Sequence, residues 1–358
     1  MASDTPSERS SSGTPLSGSA VENDNLALPF RVEGQNVNGR VVRLNGVVGE
    51  ILAAHDYPEA VNIMLGEALV LAAMLGTMLK FDGRFILQLH GGGPINTLMA
   101  DYTSGGGLRG FAQFDTDQLH EALRAGKTGI ELLGDKGHMA FTVDQGADME
   151  RYQGIVPLEG ATLAEAALGY FQRSEQIGTC LKLVAAPLLL SGGQCDWRAG
   201  GIVLQQVANE GGNEGGNAGG NEGGGEEAAQ QTVKQAEIPP EFSAPTDPAN
   251  DDDWHRLSVL LQTAQPDELL DPDLSPQNLA FRLFHEDGVR VFEARPLHFE
   301  CPCSGDRVRN MLTGLPAEDQ REMQREEKIE VRCEFCNALY QFSPAEIFGD
   351  TASDIDGE

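Results

Sequence analysis

Four short runs of alternating apolar and polar residues occur in the first part of the chain, at 84–91, 108–115, 138–145 and 179–186. Alternation with a period of two is typical of half-buried β-strands. Segments with a helical period separate these runs. This succession predicts a mixed α and β globular domain over residues 28–207.

Two segments of that region have the spacing of helices. One spans 58–80, with Pro58 in its first turn, and its apolar run at 68–79 leaves little polar face. Because that run is shorter than the ~18 apolar residues that cross a membrane, it predicts a helix buried in the core. The other spans 162–176, where Thr162 is the expected N-cap and Glu165 completes a capping box.

The pattern stops abruptly near residue 208. Residues 208–253 are rich in Gly, Asn and Glu and then in Pro, and such a segment buries too little apolar area to offset the entropy lost on ordering it. We therefore expect a disordered acidic insertion there. The polar N-terminus, 1–27, is expected to be a disordered tail, and residues 349–358 are expected to be an acidic tail.

Helical spacing returns after the insertion, over residues 254–300. Ser275 and Pro276 predict the start of one helix, as N-cap and first helical residue. Short amphipathic helices need a partner surface, so this segment is expected to be a helical linker of low stability. Its first apolar stripe consists of Trp254, Leu257, Leu260 and Leu261.

Charge narrows the possible partners. The chain has 25 Lys and Arg against 55 Asp and Glu, a formal net charge of -30, which disfavours binding to nucleic acid or to anionic membranes. The N-terminus lacks the apolar segment of a secretory signal, so we expect a soluble, cytoplasmic protein. In that reducing compartment, clustered cysteines indicate metal or redox chemistry more often than structural disulfides.

Four cysteines form two tight pairs near the C-terminus, Cys301 with Cys303 and Cys333 with Cys336. Two close-spaced pairs joined by an intervening segment supply the four soft ligands of a tetrahedral zinc site. Residues 301–348 are too few to fold well on an apolar core alone, so the sequence predicts a small domain that Zn²⁺ staples together. The spacer contains a predicted helix with one apolar face, formed by Val308, Met311, Leu312 and Leu315.

Spacing alone leaves other uses of these thiols open. His298 is a weaker candidate ligand, because four thiolates already complete the set. A thioredoxin-type role for the second pair is disfavoured, since a strand-like stretch follows the CxxC where a helix would be needed. A disulfide across the first pair requires a bent backbone, because Cα atoms two residues apart in an extended chain are about 6.5 Å apart.

Two further cysteines and two glycine motifs carry weaker signals. Cys180 lies in an apolar run and is expected to be a buried small side chain, whereas Cys195 is expected in an exposed loop. The GxGxxG match at 105–110 and the triple glycine in 90–96 lack the context of a nucleotide site, and both predict turns. The sequence offers no convincing set of nucleophile, base and orienting acid, so we expect no enzyme activity.

Two stretches, FECPCSGDRVRNMLTGLPAEDQ at 299–320 and EEKIEVRCEFCNALYQFSPAEI at 326–347, resemble the zinc redox-switch domain of the redox-regulated 33 kDa chaperonin (heat shock protein 33) family. Residues 90–110, 170–179 and 199–207 are similar to stretches of that family's N-terminal domain. The resemblance implies an α+β fold with a mixed α/β N-terminal domain, a helical linker and a small C-terminal four-cysteine zinc domain. The insertion and the polar N-terminal tail depart from the family pattern.

The resemblance also implies a function in the stress response. In the reduced, inactive protein, Cys301, Cys303, Cys333 and Cys336 would bind zinc. Oxidants would pair Cys301 with Cys303 and Cys333 with Cys336 as disulfides, release zinc and unfold the linker. The product would be a dimeric, ATP-independent holdase that binds unfolding client proteins. The alternative is a zinc-stapled protein-interaction module without redox switching.

Overall fold

The computed structural model describes residues 24–146, 149, 151–171, 177–189, 195–207 and 251–349. Most of the two predicted tails and of the predicted insertion lie outside these residues, as does the end of the helix predicted at 162–176. The first strand begins at Leu26 and the first helix after the insertion begins at Asp251. Both elements therefore start a few residues before the boundaries expected at 28 and 254.

Strands of the described residues form two large sheets and one small hairpin. They are β1 (Leu26–Val32), β2 (Val37–Leu44), β3 (Arg84–His90), β4 (Ile95–Thr103), β5 (Gly107–Phe114), β6 (His138–Asp144), β7 (Tyr152–Pro157), β8 (Thr179–Leu189), β9 (Cys195–Gln206), β10 (Val289–Val291), β11 (Arg295–Pro296), β12 (His298–Phe299), β13 (Ile329–Arg332) and β14 (Leu339–Phe342). The four strands predicted from alternation are confirmed as β3, β5, β6 and β8.

Helices lie between and against the sheets. They are α1 (Gly46–Ala53), α2 (Glu59–Met78), α3 (Thr116–Arg124), α4 (Leu163–Tyr170), α5 (Asp251–Gln262), α6 (Pro266–Leu270), α7 (Pro276–Phe284), α8 (Gly305–Thr313), α9 (Ala317–Met323) and α10 (Pro344–Phe348). Two short 3-10 turns, Gly129–Leu133 and His285–Asp287, complete the set in the part of the chain that is described.

The first sheet has the order β10-β1-β2-β9-β8, with β11 also paired to β1, and all its neighbours are antiparallel. The second sheet has the order β12-β5-β4-β3-β6-β7, and only its β12-β5 pair is parallel. Strands β13 and β14 form the separate hairpin near the C-terminus. The mixed α and β domain predicted from the succession of elements is thus confirmed.

Helix α2 lies at the centre of the fold and packs against strands of both sheets. Glycines let the sheets approach it closely: a Cβ built on Gly110 of β5 would lie 3.0 Å from Leu65, and one on Gly201 of β9 would lie 2.8 Å from Val70. Among the described residues, α2 is the one helix long and apolar enough to span a membrane, and 83% of its apolar window is buried inside the protein. The predicted core helix is confirmed.

The starts of the two predicted helices differ in detail from expectation. Pro58 precedes α2 as its cap residue and is not in the first turn. Thr162 is the N-cap of α4, as predicted, and its hydroxyl accepts a hydrogen bond from the Glu165 amide at 3.2 Å. The predicted capping box is wrong, because the Glu165 carboxylate accepts from the Ala161 amide, one residue before the cap.

Residues 251–300, which we call the linker, cover the outer face of the first sheet. The stripe predicted for α5 is confirmed, since Leu257 and Leu261 are fully buried there while Trp254 and Leu260 are partly buried. Ser275 is the N-cap of α7, as predicted. The second half of the linker is extended and not helical: β10 and β11 pair with β1, and β12 pairs with β5. The linker therefore joins an edge of each large sheet.

Candidate metal centre

The second cysteine pair lies in the turn of the β13-β14 hairpin. Cys333 and Cys336 flank a tight turn in which the Asn337 amide donates to the Cys333 carbonyl at 2.8 Å and the Cys333 amide donates to the Ala338 carbonyl at 3.0 Å. Asn337 has a φ of 57°, a left-handed conformation that asparagine tolerates better than most residues. The predicted strand-turn-strand context of the CxxC is confirmed.

The first pair lies where the linker ends and α8 begins. Ser304 is the N-cap of α8 and accepts a hydrogen bond from the Arg307 amide at 3.2 Å. The Arg307 guanidinium donates back to the Pro302 carbonyl, between the two cysteines, at 2.7 Å. These contacts hold the backbone around Cys301 and Cys303 against the start of α8.

The fold brings the four sulfur atoms together, all within 4.8 Å of one another. The Sγ atoms of Cys301 and Cys333 are 3.6 Å apart, and those of Cys303 and Cys336 are 3.2 Å apart. A regular tetrahedron with zinc-sulfur bonds of about 2.3 Å has sulfur-sulfur edges of about 3.8 Å. The number, type and spacing of the donors therefore fit a closed zinc site.

The surroundings of Cys301, Cys303 and Cys336 shift the pKa values of these thiols in different directions. Burial raises the pKa of Cys303, but hydrogen bonds from the Tyr340 hydroxyl, at 3.1 Å, and from the neighbouring thiols outweigh burial and lower the pKa to about 7. Burial, together with hydrogen bonds among the thiols, raises the pKa values of Cys301 and Cys336. Cys303 is thus the thiol in this group that its surroundings prepare to be a thiolate, the form that binds metals and reacts with oxidants.

Around the cysteines there is little apolar core. Only four residues of this region are buried together: Leu312, Ile329, Phe342 and Ile347. Val308 and Leu315 pack against them as predicted, but the prediction for Met311 is wrong, since its side chain is 51% exposed. The spacing of α8 placed Met311 on the apolar stripe, yet the hairpin covers only the part of the stripe centred on Leu312. The expectation of a core-poor domain is confirmed.

The other candidate residues lie away from the thiols. His298 is an exposed residue of β12 and is not in the cysteine cluster. Cys180 is buried beneath the linker, as predicted. Cys195 is exposed, as predicted, but it is the first residue of β9 and not part of a loop. In the glycine motif at 105–110, the first two residues form the turn between β4 and β5 and the others begin β5, while residues 91–94 join β3 to β4. Both motifs therefore begin or contain a turn, as predicted.

Sequence reasoning missed a contact between the cysteine hairpin and the second sheet. Phe335, between Cys333 and Cys336, packs edge-on against Phe111 of β5 with ring centroids 4.8 Å apart, and the Arg109 guanidinium lies 3.7 Å from the centroid of the Phe335 ring. The His55 ring nitrogen lies 3.3 Å from the Phe335 carbonyl oxygen. The aromatic residue inside the CxxC was the available signal, but nothing local identified its partner.

An ion pair with the buried carboxylate of Asp101 holds Arg109 in place. Its Nε and Nη2 atoms lie 2.8 and 2.7 Å from Oδ2 of Asp101, a carboxylate that is 1% exposed. Burial raises the pKa of Asp101, and the charge of Arg109 opposes that rise. Beside this pair, the Gln113 amide donates to the Glu334 carboxylate at 2.8 Å. The turn that carries the second cysteine pair is thus docked on β5 by an aromatic, a cationic and a polar contact.

Comparison with known proteins shows which family the chain resembles. The profile of the Hsp33 protein family matches residues 25–343. The 33 kDa chaperonin of Caulobacter vibrioides is 39% identical over 324 residues, covering 90% of this chain and 95% of the relative. That of Pseudomonas putida is 32% identical over 334 residues, covering 92% of this chain and 95% of the relative.

The fold matches as well. The crystal structure of the 33 kDa chaperonin (heat shock protein 33 homolog) from Thermotoga maritima superposes with a TM-score of 0.66 at 22% identity, covering 90% of this chain and 96% of the other. Two sheets around a central helix, with a cluster of four cysteines at the C-terminal end, together with these relatives, define a molecular chaperone. The chain belongs to the Hsp33 family.

Proposed function

We propose that this chain is an ATP-independent holdase that oxidation switches on. In the reduced, inactive form, Cys301, Cys303, Cys333 and Cys336 would hold one zinc ion. The bound metal would keep the sulfurs as thiolates and staple residues 301–348 into a folded domain, which we call the four-cysteine domain. The family supports the chaperone activity. The switch, the metal and the holdase mode are the proposal.

The observation that carries the proposal is the apolar surface beneath the linker. On the first sheet, the linker-facing surface consists of Leu26, Leu28, Phe30, Val32, Val37, Val41, Cys180, Ile202 and Leu204, and all are buried. Eight buried linker side chains cover it, including Phe284, whose ring stacks 5.7 Å from that of Phe30. A contiguous apolar surface of this kind, once uncovered, would bind unfolding chains.

The cysteine cluster and this cover are directly connected along the chain. Strand β12 ends at Phe299, and Cys301 follows two residues later. Leu297, just before β12, is 4% exposed and belongs to the main core. If the four-cysteine domain lost its fold, the linker would lose its C-terminal anchor while its short helices α6 and α7 still needed a surface to stay helical.

The proposed chemistry consumes the metal ligands. Peroxide takes two electrons from each pair of thiols, so that one sulfur-sulfur bond forms and two waters leave for each peroxide reduced. Pairing of Cys301 with Cys303, and of Cys333 with Cys336, would remove the four thiolates on which zinc binding depends. The second disulfide would also reshape the turn that carries Phe335, and so would weaken the contact with Arg109 and Phe111.

In this proposal the protein acts in the cytoplasm during oxidative stress, binds unfolding client proteins as a dimer, and catalyses no reaction. The net charge of -30 supports it, since a strongly acidic protein helps to keep client complexes in solution and is a poor ligand for nucleic acid or anionic membranes. A zinc-stapled interaction module without switching is the alternative. It would use the same four thiols but leave the linker in place.

One experiment separates the two functions. Zinc content and suppression of the heat aggregation of a test enzyme are measured for the reduced protein, the peroxide-treated protein and the oxidised protein after reduction with zinc restored. We expect about one zinc per reduced chain, loss of zinc on oxidation, and suppression only in the oxidised state. Equal suppression by the zinc-loaded reduced form would rule out the switch. The variant Cys195→Ser is the control, since Cys195 lies outside the cluster.

A further inference from the structure

Three cationic side chains of the first sheet donate hydrogen bonds to backbone carbonyls of the linker. They are Arg43 of β2, Lys182 of β8 and Arg198 of β9. Their targets are carbonyl groups at the ends of two helices. The last carbonyls of a helix have no partner within the helix, and they carry the negative end of the helix dipole. The cations therefore complete the C-termini of linker helices.

Lys182 serves the end of α5. Its ammonium lies 3.2 Å from the Gln262 carbonyl oxygen and 2.5 Å from that of Ala264. No carboxylate is paired with Lys182 among the described ion pairs. The backbone of the linker is thus its main counterpart, and a departing linker would leave this ammonium without those two acceptors.

Arg43 and Arg198 serve the end of α6. Arg43 donates to the carbonyls of Glu268, at 2.9 Å, and Asp271, at 2.5 Å, while Arg198 donates to that of Leu270 at 3.0 Å. Arg43 is 3% exposed, so these bonds are made largely out of water. Asp24 pairs with both guanidinium groups and partly balances their charge.

The cations border the apolar surface described above. Lys182 is opposite Ile202 in the pairing of β8 with β9, and Ile202 is part of the linker-facing surface. Arg43 is two residues from Val41, another member of that surface, along β2. The sheet thus presents apolar side chains to the stripe of a helix and cations to the carbonyls at the end of that helix.

We propose that this surface, once the linker has left, binds client segments that form short amphipathic helices, with Lys182, Arg43 and Arg198 recognising the free carbonyls or carboxylate at the helix C-terminus. The inference rests on the proposed function and names the chemistry of its partners. The argument for it is that the linker helices α5 and α6 already occupy this surface: their apolar side chains cover its apolar residues, and their C-terminal carbonyls accept hydrogen bonds from its cations. An apolar segment without a converging group of acceptors would contact the apolar side chains of the surface but leave the three cations without partners.

The test uses the full oxidised chain and a fluorescent peptide with the sequence DDDWHRLSVLLQTA of residues 251–264. One form of the peptide ends in a free carboxylate and the other in an amide. Affinity is measured by anisotropy for the parent protein, for Lys182→Gln, and for Lys127→Gln, an exposed lysine outside the surface. A hydrogen bond to a charged group corresponds to about a tenfold change in affinity.

We expect the carboxylate peptide to bind the parent protein about tenfold more tightly than it binds Lys182→Gln. For the amide peptide, the difference in affinity between these two proteins should be smaller. Lys127→Gln should bind both peptides with the affinity of the parent protein. Added salt should reduce the difference in affinity of the carboxylate peptide for the parent protein and for Lys182→Gln, because salt screens the charges. If Lys182→Gln binds both peptides as the parent does, while oxidised protein still suppresses aggregation, the inference is wrong and the proposed function stands. If oxidised protein neither binds peptide nor suppresses aggregation, both are wrong.

Discussion

Helix α2 and the four-cysteine domain are stabilised by opposite means. Fourteen of the twenty residues of α2 are buried, and side chains of both large sheets surround it. The four-cysteine domain buries four residues together, and its two cysteine pairs come from segments about thirty positions apart. The first region is held by its own apolar contacts, whereas the second has few of them and, in the proposed function, would depend on zinc bound by its thiols.

This contrast places chemical sensitivity at one end of the molecule. Apolar packing does not respond to oxidants, so in the proposed function α2 and the strands that surround it would keep their fold when the thiols pair, whereas the linker strands β10, β11 and β12 would leave the sheet edges. A domain that depends on four thiolates loses its main stabilising interaction when they are consumed. The linker packs on the first sheet and is joined along the chain to the four-cysteine domain, so its state can follow the weaker of the two regions. Each prediction below changes one part of the molecule and states where the effect should be measured.

The largest effect is expected from removing the second cysteine pair. Replacing Cys333 and Cys336 by serine takes away two of the four residues that we propose as zinc ligands, and zinc in such small domains contributes about 10 kcal/mol to folding. Hydrogen exchange should become fast throughout 301–348 and stay slow in α2, and zinc content should fall sharply. Cys195→Ser should change neither quantity. Unchanged zinc stoichiometry in the double variant would remove these residues as ligands.

The next effect is expected where the linker meets the first sheet. Phe284 is fully buried against Phe30. Its replacement by alanine should weaken the packing of the linker on the first sheet by about 3–5 kcal/mol and should affect the core less. Hydrogen exchange should quicken in 254–287, and the reduced, zinc-loaded variant should gain suppression of aggregation. Phe281→Ala on the same helix is the matched control, because that side chain is 60% exposed. Similar behaviour of the two variants would contradict the prediction.

A smaller effect, of opposite sign, is expected within α2. Burial raises the pKa of Glu67 to about 7 from a usual 4.5. The folded state then holds its proton more tightly than the unfolded state, so stability is highest below pH 4.5 with respect to this group and falls as pH rises to about 7.

Glu67→Gln should therefore stabilise the core by about 3 kcal/mol at pH 8 and flatten its stability between pH 5 and 7, as measured by chemical denaturation at several pH values. Glu59→Gln, at the exposed start of the same helix, supplies the comparison. An unchanged pH profile for Glu67→Gln would show that the carboxyl does not titrate in this range.

The smallest effect is expected at the join between the two regions. Phe335→Ala removes the ring that contacts Phe111 and Arg109, at a cost of about 1 kcal/mol to docking of the cysteine hairpin. Protease cleavage near the hairpin should quicken, with zinc content unchanged. Leu339→Ala, a half-exposed residue of the same hairpin, should not have this effect. Loss of zinc in Phe335→Ala would show that the ring supports the metal site itself.

Sequence reasoning succeeded where the signal is local. Alternation identified β3, β5, β6 and β8, an unbroken apolar run identified α2, and spacing identified the four thiols that the fold brings together. It failed where distant segments meet. Strands β10, β11 and β12 pair with β1 and β5, which lie far away in the chain. No local periodicity in residues 289–299 predicts these pairings.

The same limit applies to individual side chains. Arg43, Arg198 and Arg109 are ordinary strand residues in the sequence, and their partners lie in the linker and in the cysteine hairpin. Met311 shows the converse case: an amphipathic stripe gives the direction of a helix face, but the size of the neighbouring element decides how much of that face is covered.

The short strands β10, β11 and β12 have a consequence for solubility. They pair with β1 and β5, which are otherwise the outermost strands at that side of each large sheet. A linker that detaches would leave two rows of unpaired backbone groups, and such edges are templates on which extended chains add as further strands. The open protein would then be prone to self-association through its own backbone, which makes prompt closure after reduction as important as opening.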